Sequence, residues 1–180
     1  VTITQSDGST DVTEGGATDT YTLVLATQPT FDVTVEITAD SQTTVSTSSI
    51  IFSTENWDTP QTITVTADND NIDEDSPHTS TITHDATSAD ASYEDVVISS
   101  VTANITDNDI AGVTVSPLFV TTTEAGVTSS FTVVLDSRPV ENVQINLSVT
   151  DIAEASISSS TLIFNPSNWS SERTIIVTGL

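Results

Sequence analysis

Residues 61–75 read Gln61-Thr62-Ile63-Thr64-Val65-Thr66-Ala67 and then, without a break, Asp68-Asn69-Asp70-Asn71-Ile72-Asp73-Glu74-Asp75. In the first half Ile63, Val65 and Ala67 alternate with threonines, the period of a β-strand with one dry face and one wet face. The second half packs five carboxylates and two side-chain amides into eight residues. No Lys or Arg precedes Arg138, so the repulsion in this loop must be relieved by water, by protons or by a bound cation. Ca²⁺ is the simplest of these, because it takes six to eight hard oxygen ligands from carboxylates, amides and backbone carbonyls. A solvated acidic loop is the other fate of such a charge run.

The same alternation recurs on either side. Tyr21, Leu23 and Leu25 share one face; so do Val33, Val35, Ile37 and Ala39, and later Val101, Ala103 and Ile105. Turn-rich segments such as Thr27-Gln28-Pro29-Thr30 and Ser53-Thr54-Glu55-Asn56 separate the runs. About seven runs of this kind predict an all-β protein, an immunoglobulin-like antiparallel β-sandwich. Composition agrees: the chain of 180 residues is dominated by Thr, Ser, Val and Ile and has no Lys, which disfavours helices.

The formal net charge is −24, from 26 acids against Arg138 and Arg173. Twenty of the acids lie in residues 1–109, where there is no base. A surface this negative repels nucleic acid and anionic headgroups, so neither is an expected partner, and no apolar run suggests direct membrane insertion. Cysteine is absent, which removes disulfides and thiolate sites.

Self-comparison shows a repeat. Thr13-Glu14-Gly15-Gly16 aligns with Thr123-Glu124-Ala125-Gly126, Tyr21-Thr22-Leu23-Val24-Leu25 with Phe131-Thr132-Val133-Val134-Leu135, Asn56-Trp57 with Asn168-Trp169, and Thr62–Thr66 with Thr174–Thr178. The expected organisation is two tandem modules, 1–110 and 111–180, the second incomplete because it stops before its last two strands. Ile110-Ala111-Gly112 is too short for a flexible tether, so neighbouring modules of the same chain are expected end to end, and another copy is a candidate partner through open sheet edges.

Three acidic elements are far apart in sequence: Glu14, the 68–75 loop, and Asp107-Asn108-Asp109. If successive strands alternate in direction, all three reach one pole. Asp107 and Asp109, two apart in an extended segment, are expected on one side with Asn108 turned away. Asp40, closing another strand, is expected near the same pole.

These elements carry a family resemblance. The Thr-Glu-Gly-Gly opening at 13–16, the acidic loop and the closing Ile105-Thr106-Asp107-Asn108-Asp109 resemble the Calx-β motif, found in calcium-sensing domains of sodium/calcium exchangers and in tandem arrays of large bacterial surface proteins. Asn56–Gln61 and His78–His84 look like the bacterial adhesin version. The resemblance implies calcium ligands at Glu14, Asp68, Asp70, Asp107 and Asp109, with Asp73, Glu74, Asp75 and Asp40 as candidates for a second ion. In the second module only Glu124, with Asp151 a candidate counterpart of Asp40, matches, so no full calcium site is expected there.

Other residues offer weaker chemistry. His78 and His84 lie six residues apart, roughly 20 Å along a strand, so they cannot share a metal ion and read as rim or surface histidines. No nucleophile elbow occurs, and no enzyme is expected. Trp57 and Trp169, repeated beside an Asn in both copies, read as plugs of the sandwich end. The expected function is a calcium-binding structural or adhesive repeat of an extracellular bacterial surface protein, with ions rigidifying the pole where modules meet. The alternatives are a carbohydrate- or protein-binding module using Ser88–Asp95 with an exposed Tyr93, and a filament subunit assembled by strand exchange.

Overall fold

The computed structural model describes residues 1–180. They divide into two compact units, Val1–Asp70 with Glu74–Asn108, and Asn71–Asp73 with Asp109–Leu180.

The first unit is a β-sandwich of nine strands: β1 (Thr2–Gln5), β2 (Thr10–Thr13), β3 (Asp19–Val24), β4 (Val33–Ala39), β5 (Thr43–Val45), β6 (Ser49–Phe52), β7 (Gln61–Ala67), β8 (His78–Ser88) and β9 (Val101–Thr106). One sheet has the order β1-β3-β7-β5 and the other β2-β9-β8-β4-β6. Each alternating run lays its apolar face inward. Tyr21, Leu23, Ile63 and Val65 from one sheet and Val33, Val35, Ile82, Ala103 and Ile105 from the other are fully buried in one core. At about 1.5–3 kcal/mol per large aliphatic side chain removed from water, this face-to-face burial is what holds the sheets together. The strands exceed the expected seven because a short 3₁₀ turn at Ser6–Gly8 splits the first run, letting β1 and β2 join opposite sheets, and because β5 is a separate three-residue strand.

One pairing departs from the expected antiparallel pattern. β2 runs parallel to β9, with Val12 opposite Ile105 and Thr13 opposite Thr106. Both strands therefore leave the sheet at the same end, and the Glu14 N–H continues the ladder onto the Thr106 carbonyl at 3.0 Å.

His84 faces inward from β8. Its Nε2 lies 2.9 Å from the Tyr21 hydroxyl and its Nδ1 3.0 Å from the Ser99 carbonyl, so it satisfies a buried phenol rather than binding a ligand. Burial pushes its imidazole below the ordinary range, which favours the neutral ring that this pairing requires.

The second unit contains β10 (Val113–Ser116), β11 (Thr128–Leu135), β12 (Val143–Asn146), β13 (Ala155–Ile157), β14 (Thr161–Phe164) and β15 (Arg173–Gly179). Its sheet β10-β11-β15-β13 repeats the order β1-β3-β7-β5, and β12-β14 repeats the β4-β6 pair. Val133, Leu135 and Phe164 form its core, with Trp169 packed against them as Trp57 packs in the first unit. The backbone of each tryptophan is also tied to the end of a neighbouring strand. The Trp57 carbonyl accepts from the Leu25 N–H at 3.0 Å and the Trp169 carbonyl from the Leu135 N–H at 3.3 Å. Asn56 and Asn168 each fold the preceding turn by accepting a backbone N–H three residues back. No counterpart of β2 forms, since β2 pairs only with β9 and nothing in the second unit plays that part. No helix is long and apolar enough to cross a membrane.

Candidate metal centre

The loop end of the first unit is built around Glu14. This residue follows β2 directly and is only 3 % exposed. One carboxylate oxygen receives the Asp70 backbone N–H, while Oε2 is buried with no hydrogen-bond partner. Burial, and then the negative charges of Asp107, Asp70 and Glu74, push its carboxyl above the usual range, against the opposing pull of the Asp70 N–H. A buried carboxylate facing three others with an unpaired oxygen is costly unless a positive charge joins them.

The neighbours are held in place by backbone and amide contacts. Carboxylate oxygens of Glu14 and Asp70 lie within 4.8 Å of each other. Asp107 Oδ2 accepts the Glu74 N–H at 2.8 Å, tying the end of the acidic loop to the residue after β9. Gly15 has φ +59°, and a Cβ there would stand 2.7 Å from Asn69 Oδ1 and 3.0 Å from Asn108 Nδ2. The glycine of the Thr-Glu-Gly-Gly motif is thus required twice, for its left-handed backbone and for the close approach of two side chains.

Asn108 does not turn away as its position between two acids suggests. Its Nδ2 donates to the Glu14 carbonyl at 2.8 Å and to Asn69 Oδ1 at 2.7 Å, clamping three segments of the chain together. The alternation rule fails here because β9 has ended at Thr106 and the next residues are no longer extended sheet.

The nine predicted acids do not all meet. Glu14, Asp70, Glu74 and Asp107 form the group just described. Asp68 is exposed and holds its place through its N–H to the Gln42 carbonyl at 3.0 Å. Asp75 is exposed and contributes its backbone carbonyl rather than its carboxylate. Asp73 is counted with the second unit, which Asp109 opens. Asp40 lies beside the same end, yet its carboxylate is engaged by Ser80 Oγ at 2.7 Å, the Thr81 N–H at 2.8 Å and the Gln42 N–H at 3.0 Å. Burial works against ionisation of Asp40, and these donors outweigh it and hold the carboxyl below the usual range. Asp40 is a strand-end anchor that has little left to offer a cation.

His78, read from the sequence as a rim or surface histidine, stands beside this group. It opens β8, with Nε2 3.3 Å from Glu74 Oε2, and its ring nitrogen, Glu74 and Glu14 all place a donor atom within 4.8 Å of one another. Gln42 Nε2 reaches both Glu74 oxygens at 3.0 Å and His78 Nε2 at 3.3 Å. The sequence signal for it is the four-residue spacing of Glu74 and His78.

Tyr93 is not available to a glycan. It is 6 % exposed, and its hydroxyl lies 2.7 Å from Thr27 Oγ1 while accepting the Thr27 N–H at 3.2 Å. It locks the 89–95 loop to the β3–β4 turn, which removes the exposed aromatic that the carbohydrate alternative needs.

The chain matches no protein-family model and no curated protein. Solved structures do match. CBD12 from CALX1.2 shares 16 % identity over 99 % of this chain and 74 % of its own, with a TM-score of 0.44. The calcium binding domain CBD12 of CALX1.1 shares 17 % over 100 % and 76 %, with a TM-score of 0.38. The Escherichia coli chaperone DraB shares 10 % over 97 % and 85 %, with a TM-score of 0.43.

Proposed function

We propose that this chain is a calcium-binding structural repeat of an extracellular bacterial surface protein, with an ion held at the loop end of the first unit by Glu14, Asp70 and Asp107. The observation that carries this reading is the buried Glu14 Oε2, which has no hydrogen-bond partner and faces other carboxylates. The donor set is made of hard oxygens, and two oxygens bound to one Ca²⁺ at about 2.4 Å can stand up to roughly 4.8 Å apart, a limit within which the Glu14 and Asp70 oxygens lie. The motif resemblance to Calx-β modules supports the same assignment.

The mechanism is electrostatic and involves no catalysis. Without a cation the clustered charges repel and the loop after β7 loosens from the ends of β2 and β9. With Ca²⁺ the three segments are crosslinked, and the module resists unfolding. Neighbouring modules of the same chain are the natural partners of such a stiffened unit. A dissociation constant on the order of 10⁻⁴ to 10⁻³ M suits a site bathed in extracellular calcium. Calorimetric titration of the full chain tests the reading: saturable Ca²⁺ binding that Asp70→Asn and Asp107→Asn each weaken is expected, and the absence of any binding at millimolar Ca²⁺ refutes it.

A further inference from the structure

His78 gives this end of the sandwich a donor that calcium does not need. Its Nδ1 lies 3.1 Å from the Asp75 carbonyl. A carbonyl oxygen can only accept, so Nδ1 carries a hydrogen, and in the neutral ring Nε2 keeps its lone pair. That is the tautomer of a metal-binding imidazole, with the second nitrogen fixed by a backbone carbonyl. In that form Nε2 faces Glu74 Oε2 at 3.3 Å with the Gln42 amide nitrogen beside both; in the protonated ring the same contact is an ion pair, whose proton a bound cation would replace. Two donors on one tetrahedral Zn²⁺ stand about 3.4 Å apart when their bonds are 2.0–2.2 Å long.

Glu14 supplies the third donor and the independent sign of a ligand. Its carboxylate is 3 % exposed, Oε2 is unpartnered, and its ligand atom lies within 4.8 Å of those of Glu74 and His78. Imidazole suits zinc and its neighbours, whereas calcium takes oxygen. We propose that Glu14, Glu74 and His78 form a mixed nitrogen–oxygen site for a divalent transition-metal ion of the zinc type, with Gln42 and the Asp75 carbonyl orienting the ligands. This site shares Glu14 with the calcium reading but does not rest on it.

The test uses Zn²⁺ on the full chain carrying no histidine tag. The chain has two histidines, His78 and His84, so its imidazole ¹⁵N spectrum is simple and the His78→Gln variant assigns it. At saturating Zn²⁺ the Nε2 resonance of His78 should move while that of His84, held by Tyr21 and Ser99, stays. By calorimetry His78→Gln should bind Zn²⁺ at least tenfold more weakly and Ca²⁺ within twofold of the parent. A His78 resonance that does not respond to saturating Zn²⁺, or equal Zn²⁺ affinity in the variant, overturns the proposal. Zinc bound through His78 by a chain that ignores calcium would sink the calcium reading alone.

Discussion

Glu14 and Asp107 stand one residue beyond a register pair, Thr13 of β2 and Thr106 of β9, in the parallel ladder of the first unit. Two carboxylates from opposite ends of the module are thereby delivered to one spot by backbone hydrogen bonding, before any side chain contributes. The chain bears the electrostatic cost of that arrangement at Glu14. Because its native carboxyl titrates above the unfolded value, the folded state holds this proton more tightly than the unfolded state does. Stability of the metal-free protein therefore falls as pH rises from the ordinary glutamate range through the raised native value.

Replacing the carboxylate by an amide of the same shape isolates that cost. Glu14→Gln should melt no lower than the parent at pH 7 in the presence of chelator, and its stability should lose the decline with pH just described. It should also lose the response to Ca²⁺. Thermal melts from pH 4 to 8 in chelator, repeated with millimolar Ca²⁺, read both effects, and a variant that melts far below the parent in chelator would show that Glu14 is supportive without a cation.

Calcium removal is the second measurement. An ion present at about a hundred times its dissociation constant stabilises the native state by roughly 2.7 kcal/mol. For a unit of about 100 residues this corresponds to a shift on the order of 10 °C in Tm. Scanning calorimetry with Ca²⁺ and with chelator should move the transition of the first unit by that amount. The second unit has no group of three or more metal-ligating side chains gathered within itself, so its transition should hardly move. Coincident scans under the two conditions would leave the carboxylate cluster without a role.

Gly15 separates backbone strain from the clamp. Gly15→Ala must place a methyl group 2.7 Å from Asn69 Oδ1 at a positive φ, displacing the Asn69–Asn108 contact. A left-handed alanine costs about 1–2 kcal/mol by itself, and the lost contact adds to it. Gly126 also has a positive φ, yet nothing lies within 4 Å of its missing Cβ, so Gly126→Ala should cost only the strain. Denaturant melts of the two variants should rank Gly15→Ala as the more damaging, and only that one should weaken Ca²⁺ binding.

The alternation of Tyr21, Leu23, Ile63 and Val65 made the sandwich legible, because a period of two with one dry face leaves little choice of architecture. The parallel β2–β9 pairing was not legible. Nothing in Thr10-Asp11-Val12-Thr13 distinguishes a parallel partner from an antiparallel one, and the split at Ser6–Gly8 that frees β2 to cross sheets is three residues long. At the site, charge density singles out the 68–75 loop, which does approach Glu14, but not which of its acids converge there. Asp68, Asp70 and Asp75 are the same residue type in one loop, and only the path of the loop leaves Asp68 and Asp75 exposed while Asp70 is half-buried. His78 reads as a rim histidine in the sequence because its neighbours, Gln42, Glu74 and Glu14, come from three separate segments. The burial of Tyr93, against the exposure that the carbohydrate-binding alternative requires, is hidden for a similar reason: its hydroxyl partner, Thr27, is 66 residues away.

Asp90 provides a prediction at the opposite extreme of carboxylate behaviour. Its Oδ2 accepts the Thr30 N–H at 2.8 Å and the Thr30 hydroxyl at 2.9 Å, and its Oδ1 accepts the Ser92 N–H at 2.9 Å. The Thr30 backbone bond, followed by those from Ser92 and the Thr30 side chain, lowers its carboxyl to about 2. A depressed native value means that the stabilisation is present above the unfolded aspartate range and disappears as pH falls through about 2. The Thr30 amide resonance should therefore titrate with a midpoint near 2. Asp90→Asn should show at neutral pH the Thr30 environment that the parent reaches only in strong acid, because an amide oxygen accepts these bonds less strongly than a carboxylate does. A Thr30 resonance that titrates near 4, or one that the substitution leaves in place, would mean that this tie between the β3–β4 turn and the 89–95 loop does not form in solution.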